Sequence, residues 1–423
     1  MKERAILVTV DFESIRRNFK LQDLSAELEE LSKSAGLAVL KNLIFKQKTP
    51  NSALFIGKGK VEELAESVKK EKADVVILES NLSSTQQRNL EGIIQTKTID
   101  RTQLILDIFA QRAQSVEGKL QVELAQMKYL LPRLAGKGID LSRLGGGVGT
   151  RGPGEQKLEM DRRRICERIT RLTRELGQVE RRRLSNIERK KEKGLPLVTL
   201  VGYTNAGKSS LFNALTNASV LVKDKLFSTL DTTTRLLVLP GNQKALLADT
   251  VGFMRELPHA LIESFQATLE EAVHADILLH VIDASRPDID ALERAVHQVL
   301  RDLGGEEKKT IVVLNKIDLM DKKGREKLAK DPRWRNGVLV SSLMGEGLSG
   351  LLDRLAGSIS DGVFRKDFFV PKEKLGLVHF LYEEAEVLSR QDEAEGTFLS
   401  VNISIKTEEL FKRQLNEAGT AAN

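Results

Sequence analysis

The stretch LVTLVGYTNAGKS, residues 197–209, decides the fold of this chain. An apolar run over residues 197–201 predicts a buried strand, and it leads into a loop of the form GxxxxGK[ST] followed by a helical pattern. In such a loop the backbone amides surround phosphate groups, and the N-terminus of the next helix adds a favourable dipole. We therefore predict an α/β fold with a mostly parallel sheet, helices on both of its faces and a phosphate site. A chance match to the pattern is the alternative.

Each residue of this predicted phosphate loop is a candidate nucleotide contact. The loop comprises Gly202, Tyr203, Thr204, Asn205, Ala206, Gly207, Lys208 and Ser209. The ammonium group of Lys208 is expected to neutralise the β and γ phosphates, and the hydroxyl of Ser209 is expected to bind Mg²⁺. The predicted ligand is thus a nucleotide with Mg²⁺ as its cofactor.

A second candidate element follows a predicted strand over residues 245–248. It consists of Asp249, Thr250, Val251 and Gly252. The carboxylate of Asp249 is expected to hold Mg²⁺ through water, and the amide of Gly252 is expected to sense the γ phosphate.

Two further strand ends predict recognition of the base. Asn315, Lys316, Ile317 and Asp318 follow a strand over residues 311–314, and Ser341, Ser342 and Leu343 follow a strand over residues 338–340. The carboxylate of Asp318 can accept hydrogen bonds from both N1 and N2 of guanine, and adenine offers no such pair. Each of the last three elements could alone be an ordinary strand-end turn. Their order after a phosphate loop predicts binding of GTP and GDP.

The segment between the first two elements predicts a nucleotide-sensitive loop. Its candidate residues are Phe227, Ser228, Thr229, Leu230 and Asp231. Of the threonines in this segment, Thr229 is our candidate for a hydroxyl ligand of Mg²⁺, with Thr233 as the reserve.

Phe253 occupies the position after Gly252, where signalling GTPases carry the glutamine that orients the attacking water. A phenyl ring cannot orient water, so no catalytic residue is identified and slow unassisted hydrolysis is expected. The alternative, that Phe253 only packs within this loop, predicts the same slow rate.

A basic helical region precedes the phosphate loop. Leucine and methionine residues spaced 4, 3, 4, 3 over residues 120–134 and a similar series over residues 165–179 predict two packed helices. Between them, residues 136–154 contain eight glycines in nineteen positions, and residues 155–193 contain 14 Lys and Arg against eight Asp and Glu. The predicted RNA-contacting residues are Arg143, Arg151, Arg162, Arg163 and Arg164. A flexible linker and a solvated helix face are the alternatives.

These patterns predict four parts of the chain. We expect an N-terminal α/β subdomain over residues 1–112, an antiparallel helical hairpin with a glycine-rich tip over 113–194, the nucleotide domain over 195–362 and a small α+β domain over 363–423.

The composition restricts the class of protein. The hydrophobic content is 41%, the charged content is 30%, and no apolar run approaches the length of about 18 residues that a membrane span needs. A single cysteine excludes an intramolecular disulfide framework, and the five histidines have no metal-ligand spacing. The first residues lack the apolar region of a signal peptide. We expect a monomer in the cytoplasm without stable membrane insertion, and peripheral membrane association is the alternative.

The chain resembles the HflX family of translation-related GTPases. The resemblance rests on GGVGTRGPGE (residues 146–155), on the strings FSTLDTTTR and DTVGF, and on Leu158, Glu159 and the run 161–163. It implies binding of the large ribosomal subunit, GTP hydrolysis stimulated by ribosomes, and splitting or rescue of ribosomes, or prevention of subunit association, under stress. Two other classes stay open: an RNA-binding or ribosome-assembly protein that uses GTP as a structural ligand, and a membrane-linked signalling GTPase.

Overall fold

A computed structural model describes residues 2–14, 19–134, 153–192, 195–216, 233–255, 264–265, 272–359 and 363–417. The chain forms two compact units. The first contains Met1–Glu180 with residues 223–231 and 256–266, and the second contains Arg181–Val222, Thr232–Arg255 and Ala267–Asn423. The four-part division predicted from the sequence stays a prediction.

The first unit contains a four-stranded parallel sheet in the order β2-β1-β3-β4. Its strands are Arg4–Phe12 (β1), Ala38–Gln47 (β2), Val75–Leu78 (β3) and Lys97–Asp100 (β4). The accompanying helices are Leu21–Ser34 (α1), Lys58–Glu71 (α2), Ser84–Ile94 (α3) and Arg101–Arg112 (α4). On α2, Val61, Leu64 and Val68 share one buried face, as the helical spacing predicts.

Two long helices complete the described part of this unit. They are Val116–Leu134 (α5) and Pro153–Glu192 (α6), and the second continues beyond the unit. Of the residues in the predicted seam between them, Leu124 and Leu172 are buried and the others whose burial is described are partly buried. Arg168 joins α6 to α5 through a two-pronged ion pair with Glu123, at 2.7 Å for each contact.

A buried carboxylate anchors α5 to the sheet of the first unit. Asp100 at the end of β4 accepts hydrogen bonds from Tyr129 Oη (2.9 Å) and Arg133 Nη2 (2.8 Å) of α5. It also accepts from the backbone amides of Leu82 and Gln103. Because Asp100 is 1% exposed, these partners replace the water that a carboxylate would otherwise bind.

The second unit contains a six-stranded sheet in the order β10-β9-β8-β5-β7-β6. Its strands are Leu197–Gly202 (β5), Thr233–Val238 (β6), Lys244–Asp249 (β7), Ile277–Asp283 (β8), Lys309–Asn315 (β9) and Val338–Leu339 (β10). All neighbours are parallel except β6 and β7. The helices are Lys208–Thr216 (α7), Ile289–Asp302 (α8), Lys322–Lys330 (α9) and Leu348–Ile359 (α10).

Both faces of this sheet are apolar. Alternate residues of a strand point to opposite faces, and on β9 Ile311 and Val313 enter one cluster while Leu314 enters another. The first cluster also includes Phe212 of α7, and the second is packed against Ile289 of α8. The mostly parallel α/β fold with helices on both faces is therefore confirmed.

A smaller antiparallel sheet, in the order β11-β13-β12, follows in the second unit. It consists of Val363–Pro371 (β11), Glu386–Asp392 (β12) and Gly396–Ser404 (β13), with helices Gly376–Glu384 (α11) and Ile405–Glu417 (α12). Lys244 at the start of β7 pairs with Glu384 at the end of α11 at 2.8 Å. Within the described ranges, no helix combines the length and apolar character that a bilayer crossing needs.

Candidate functional site

The backbone of the phosphate loop requires glycine at two positions. Gly202 and Gly207 adopt φ values of +153° and +91°. A Cβ atom would approach Val281 O to 2.2 Å at the first position and Asn315 Nδ2 to 2.3 Å at the second. A larger residue at Gly202 would displace the loop from β8, and one at Gly207 would displace it from Asn315 at the end of β9.

Lys208 begins α7 with its side chain turned back into the loop. Its Nζ atom donates hydrogen bonds to Gly202 O at 3.0 Å and to Tyr203 O at 2.9 Å. Burial lowers the pKa of Lys208 to about 8, while the nearby charge of Asp249 acts in the opposite direction. This ammonium group is thus poorly hydrated, and a phosphate would replace the missing solvation.

Ser209 at the start of α7 and Asp249 at the end of β7 place a hydroxyl oxygen and a carboxylate oxygen side by side. The Ser209 hydroxyl donates a hydrogen bond of 2.7 Å to Asp249 Oδ2. Asp249 ends β7 and is fully buried, and Thr250 beside it donates from Oγ1 to Leu200 O at 2.7 Å. Hydroxyl and carboxylate oxygens suit a hard cation such as Mg²⁺.

The segment after Asp249 pairs directly with the phosphate loop. Thr204 N donates to Phe253 O at 2.7 Å, and Phe253 N donates to Gly202 O at 3.0 Å. A Cβ atom on Gly252 would lie 2.8 Å from Thr204 Cγ2 and 2.9 Å from Thr204 Cα, so a larger residue would push this segment away from the phosphate loop. The side chain of Phe253 is 1% exposed and belongs to the interior.

Asn315 connects the predicted base site to the phosphate loop. Its Nδ2 atom donates to Ala206 O at 2.9 Å, and its Oδ1 atom accepts from Ser342 N at 3.0 Å. The side chain is fully buried. One amide thereby fixes three segments that are remote in sequence.

Asp318 and Lys316 are oriented by partners of their own. Asp318 Oδ1 accepts a hydrogen bond of 2.6 Å from Ser341 Oγ, and Lys316 Nζ pairs with Asp283 Oδ2 at 2.8 Å. The structure thus brings Asn315, Lys316 and Asp318 together with Ser341 and Ser342, whereas Leu343 is 79% exposed.

Several predicted residues lie outside the described part of the chain. These are Phe227, Ser228, Thr229, Leu230, Asp231, Arg143 and Arg151. The reserve candidate Thr233 is the first residue of β6 and pairs with Asp249 in the antiparallel register. Arg162, Arg163 and Arg164 are exposed on α6.

Sequence reasoning missed an ion pair beside the phosphate loop. The guanidinium of Arg255 is buried and contacts the carboxylate of Asp288, which also accepts from Arg286 Nε at 2.9 Å. The backbone amide of Arg255 donates to Tyr203 Oη at 3.0 Å. No local pattern indicates this pair, because its partners are 33 positions apart.

Four family models match consecutive parts of the chain. The models described as GTP-binding GTPase N-terminal and GTP-binding GTPase Middle Region match residues 22–110 and 112–190. Those described as 50S ribosome-binding GTPase and HflX C-terminal domain match residues 197–316 and 327–422.

Individual relatives match along nearly the whole chain. GTPase HflX of Caldanaerobacter subterraneus subsp. tengcongensis is 45% identical over 411 residues, which cover 97% of this chain and 93% of that protein. GTPase HflX of Escherichia coli K12 is 40% identical over 405 residues, which cover 96% and 93%. A solved GTP-binding protein from the archaeon Sulfolobus solfataricus, in complex with GDP, is 26% identical with a TM-score of 0.43, covering 85% of this chain and 99% of that one.

Proposed function

This chain belongs to the HflX family of GTPases, and from that premise we propose that it binds the large ribosomal subunit and hydrolyses GTP there. The proposed outcome is splitting or rescue of ribosomes, or prevention of subunit association, under stress. The observation that carries the proposal is the match of residues 197–316 to a 50S ribosome-binding GTPase model, because this range contains the phosphate loop, the element over residues 249–252 and the first two residues of the base site, Asn315 and Lys316.

The reaction is hydrolysis of GTP to GDP and phosphate. In the proposed site Lys208 neutralises phosphate charge, and Asp318 accepts from N1 and N2 of guanine. Ser209 and Thr229 would bind Mg²⁺, with Asp249 holding it through water. The oxygen pair of Ser209 and Asp249 fits this ion, which when bound neutralises charge that develops on the β and γ phosphates.

We propose that unassisted hydrolysis is slow. Phe253 has no group that could orient water, and its ring is buried while its backbone pairs with Gly202 and Thr204. The catalytic site is therefore completed by the ribosomal partner, by a bound ion or by another residue.

The proposed ribosomal contact uses the basic region of the chain. Arg162, Arg163 and Arg164 present exposed guanidinium groups on consecutive positions of α6. Arginine side chains neutralise phosphates of an RNA backbone and release its counterions. Arg143 and Arg151 are proposed to join them.

Sedimentation tests this proposal directly. Separated ribosomal subunits are run through sucrose gradients with the protein in a GTP analogue, in GDP and without nucleotide. We expect co-sedimentation with the large subunit in the GTP analogue and weaker binding in GDP. Equal binding to both subunits in all three conditions would sink the proposal.

An RNA-binding or assembly protein that uses GTP as a structural ligand is the competing proposal. Single-turnover hydrolysis separates the two, because a ribosome-stimulated GTPase accelerates when large subunits are added and a structural ligand does not. We also propose a cytoplasmic monomer; vesicle flotation tests the alternative of peripheral membrane association.

A further inference from the structure

The phosphate loop and the segment after Asp249 remain paired beyond the ends of their strands. Leu200 of β5 pairs with Asp249 of β7. Three residues after Leu200, Tyr203 pairs with Phe253, which is four residues after Asp249. The segment after Asp249 therefore contains one residue more than the opposite strand, and such an insertion makes the longer segment bend.

Gly252 lies in this bend, next to the ammonium group of Lys208. A Cβ atom on Gly252 would be only 3.0 Å from Lys208 Nζ. Lys208 is the residue proposed to neutralise the γ phosphate, so Gly252 is held close to the position that this phosphate would occupy. The position of the bend thus decides whether the Gly252 amide can contact the phosphate.

A side chain of the phosphate loop fixes the downstream end of the bend. Tyr203 Oη accepts a hydrogen bond of 3.0 Å from the backbone amide of Arg255. Two backbone hydrogen bonds between Phe253 and the loop precede it. Tyr203 and all of residues 251–255 are buried, so water is a poor substitute for any of these partners.

The side chain of Arg255 attaches the same residue to a second element. Its buried guanidinium contacts the carboxylate of Asp288, immediately before α8. Asp288 is also held by Arg286 Nε at 2.9 Å. Arg255 is therefore anchored by its backbone to the phosphate loop and by its side chain to the segment before α8, and both anchors resist movement of the bend.

We propose that Tyr203 is a positioning residue for recognition of the γ phosphate. By binding the Arg255 amide, its hydroxyl holds the bend where Gly252 can contact that phosphate. The inference rests on the proposed binding of GTP through Lys208 and Gly252. A contact made only with the γ phosphate cannot change the affinity for a ligand that lacks it, so the Tyr203 hydroxyl should affect the binding of GTP and not that of GDP.

Tyr203→Phe removes only this hydroxyl and is the main test. We expect the Kd of a non-hydrolysable GTP analogue to rise about fivefold, the factor that one hydrogen bond contributes, while the Kd of GDP stays unchanged. Competition with a fluorescent guanine nucleotide in excess Mg²⁺ measures both constants. In GTP hydrolysis, kcat/KM should fall by about the same factor.

Tyr129→Phe is the matched control. Tyr129 is another buried tyrosine, and its hydroxyl donates a hydrogen bond to Asp100 in the first unit. The loss of this hydroxyl should lower stability and leave the ratio of the two Kd values unchanged. A general loss of stability weakens the binding of both nucleotides alike, so it does not imitate a selective loss of the GTP analogue.

Asp288→Asn tests the other anchor of Arg255 and leaves the phosphate loop intact. The new amide keeps one oxygen for the guanidinium and loses the charge, so the GTP analogue should again bind more weakly while GDP binding is unchanged. Because both variants release the same residue, their combined effect on the Kd ratio should be smaller than the product of the single effects. Effects that multiply would contradict a shared clamp. If Tyr203→Phe does not bind GDP, Asp288→Asn decides the question.

The outcomes separate this inference from the proposed function. Failure of the unmodified protein to bind the GTP analogue would refute the proposed function itself. Normal binding by the unmodified protein, together with an unchanged Kd ratio in Tyr203→Phe or equal losses for both nucleotides, would overturn the role of Tyr203 alone. A selective loss of the GTP analogue in Tyr203→Phe and Asp288→Asn that is absent from Tyr129→Phe supports it.

Discussion

Ser209 Oγ and Asp249 Oδ2 lie 2.7 Å apart, so residues from the start of α7 and the end of β7 form one oxygen pair. Asp249 is fully buried, and the serine hydroxyl is one of the groups that solvate its carboxylate. The same pair is the proposed Mg²⁺ site.

Replacing Ser209 by alanine should weaken the Mg²⁺ dependence of nucleotide binding. The change removes a proposed metal ligand and the hydroxyl that orients Asp249, and we expect about a tenfold to hundredfold loss of Mg²⁺ affinity in the GTP complex. Magnesium titrations of fluorescent GTP binding measure it. Ser210→Ala is the matched control, and equal effects of the two variants would contradict the assignment.

Nucleotide binding should weaken as the pH rises through 8. Burial lowers the pKa of Lys208 to about 8, so the free protein loses this positive charge above that pH. Only the protonated form attracts phosphate, and between pH 7 and pH 9 the Kd of GDP should rise by about tenfold. Competition titrations across this range measure it.

Guanosine is the control in those titrations. It shares the base and its ionisation with GDP but has no phosphates for Lys208 to bind. A Kd of guanosine that rises as steeply as that of GDP would assign the pH effect to the base site.

Asp318→Asn should change the preferred base from guanine to xanthine. The variant keeps one acceptor oxygen and replaces the other with an NH₂ donor that faces a donor of guanine, so GTP should bind about a hundredfold more weakly. Xanthine has a carbonyl oxygen where guanine has its amino group, so the new amide can donate to it. Competition between GTP and XTP measures the switch. Asp321→Asn removes the same charge from the cap of α9 and should leave the preference for GTP intact.

Asp288→Ala should destabilise the second unit. The change leaves the buried guanidinium of Arg255 without its carboxylate partner, and removing one member of a buried ion pair costs roughly 3–5 kcal/mol. Chemical denaturation measures the free energy of unfolding. Asp290→Ala is the control, because Asp290 pairs with the exposed Arg333 and its removal should have a much smaller effect. Similar losses in both variants would show that Arg255 does not depend on Asp288.

The sequence predicts the parts of this site that depend on local order. Strands β5, β7 and β9 are mostly apolar over residues 197–201, 245–248 and 311–314 and end at Gly202, Asp249 and Asn315, so the motifs fall at one edge of a parallel sheet. Such runs are typical of strands buried on both faces, and the α/β fold follows from them.

The orienting partners could not be predicted, because they depend on long-range contacts. Asp283 ends β8 as an ordinary strand terminus in the sequence, and only the sheet order places it beside Lys316. The buried face of α5 likewise includes Gln121 and Tyr129, which do not contribute to an apolar spacing. The Tyr129 hydroxyl can be buried because it donates a hydrogen bond to Asp100.

Replacing Arg162, Arg163 and Arg164 together by alanine should weaken binding to the large subunit and flatten its salt dependence. Each lost phosphate contact removes about 0.7–0.9 from the slope of log K against log salt, so the loss of three contacts should reduce the slope by about 2. Binding is measured by sedimentation at several salt concentrations in a GTP analogue. The triple change of Lys322, Lys323 and Lys327 to alanine is the control, since it removes the same charge from exposed positions of α9. A long-range attraction by net charge would lower both slopes alike. A smaller slope in the α6 variant alone identifies these arginines as direct contacts of the RNA backbone.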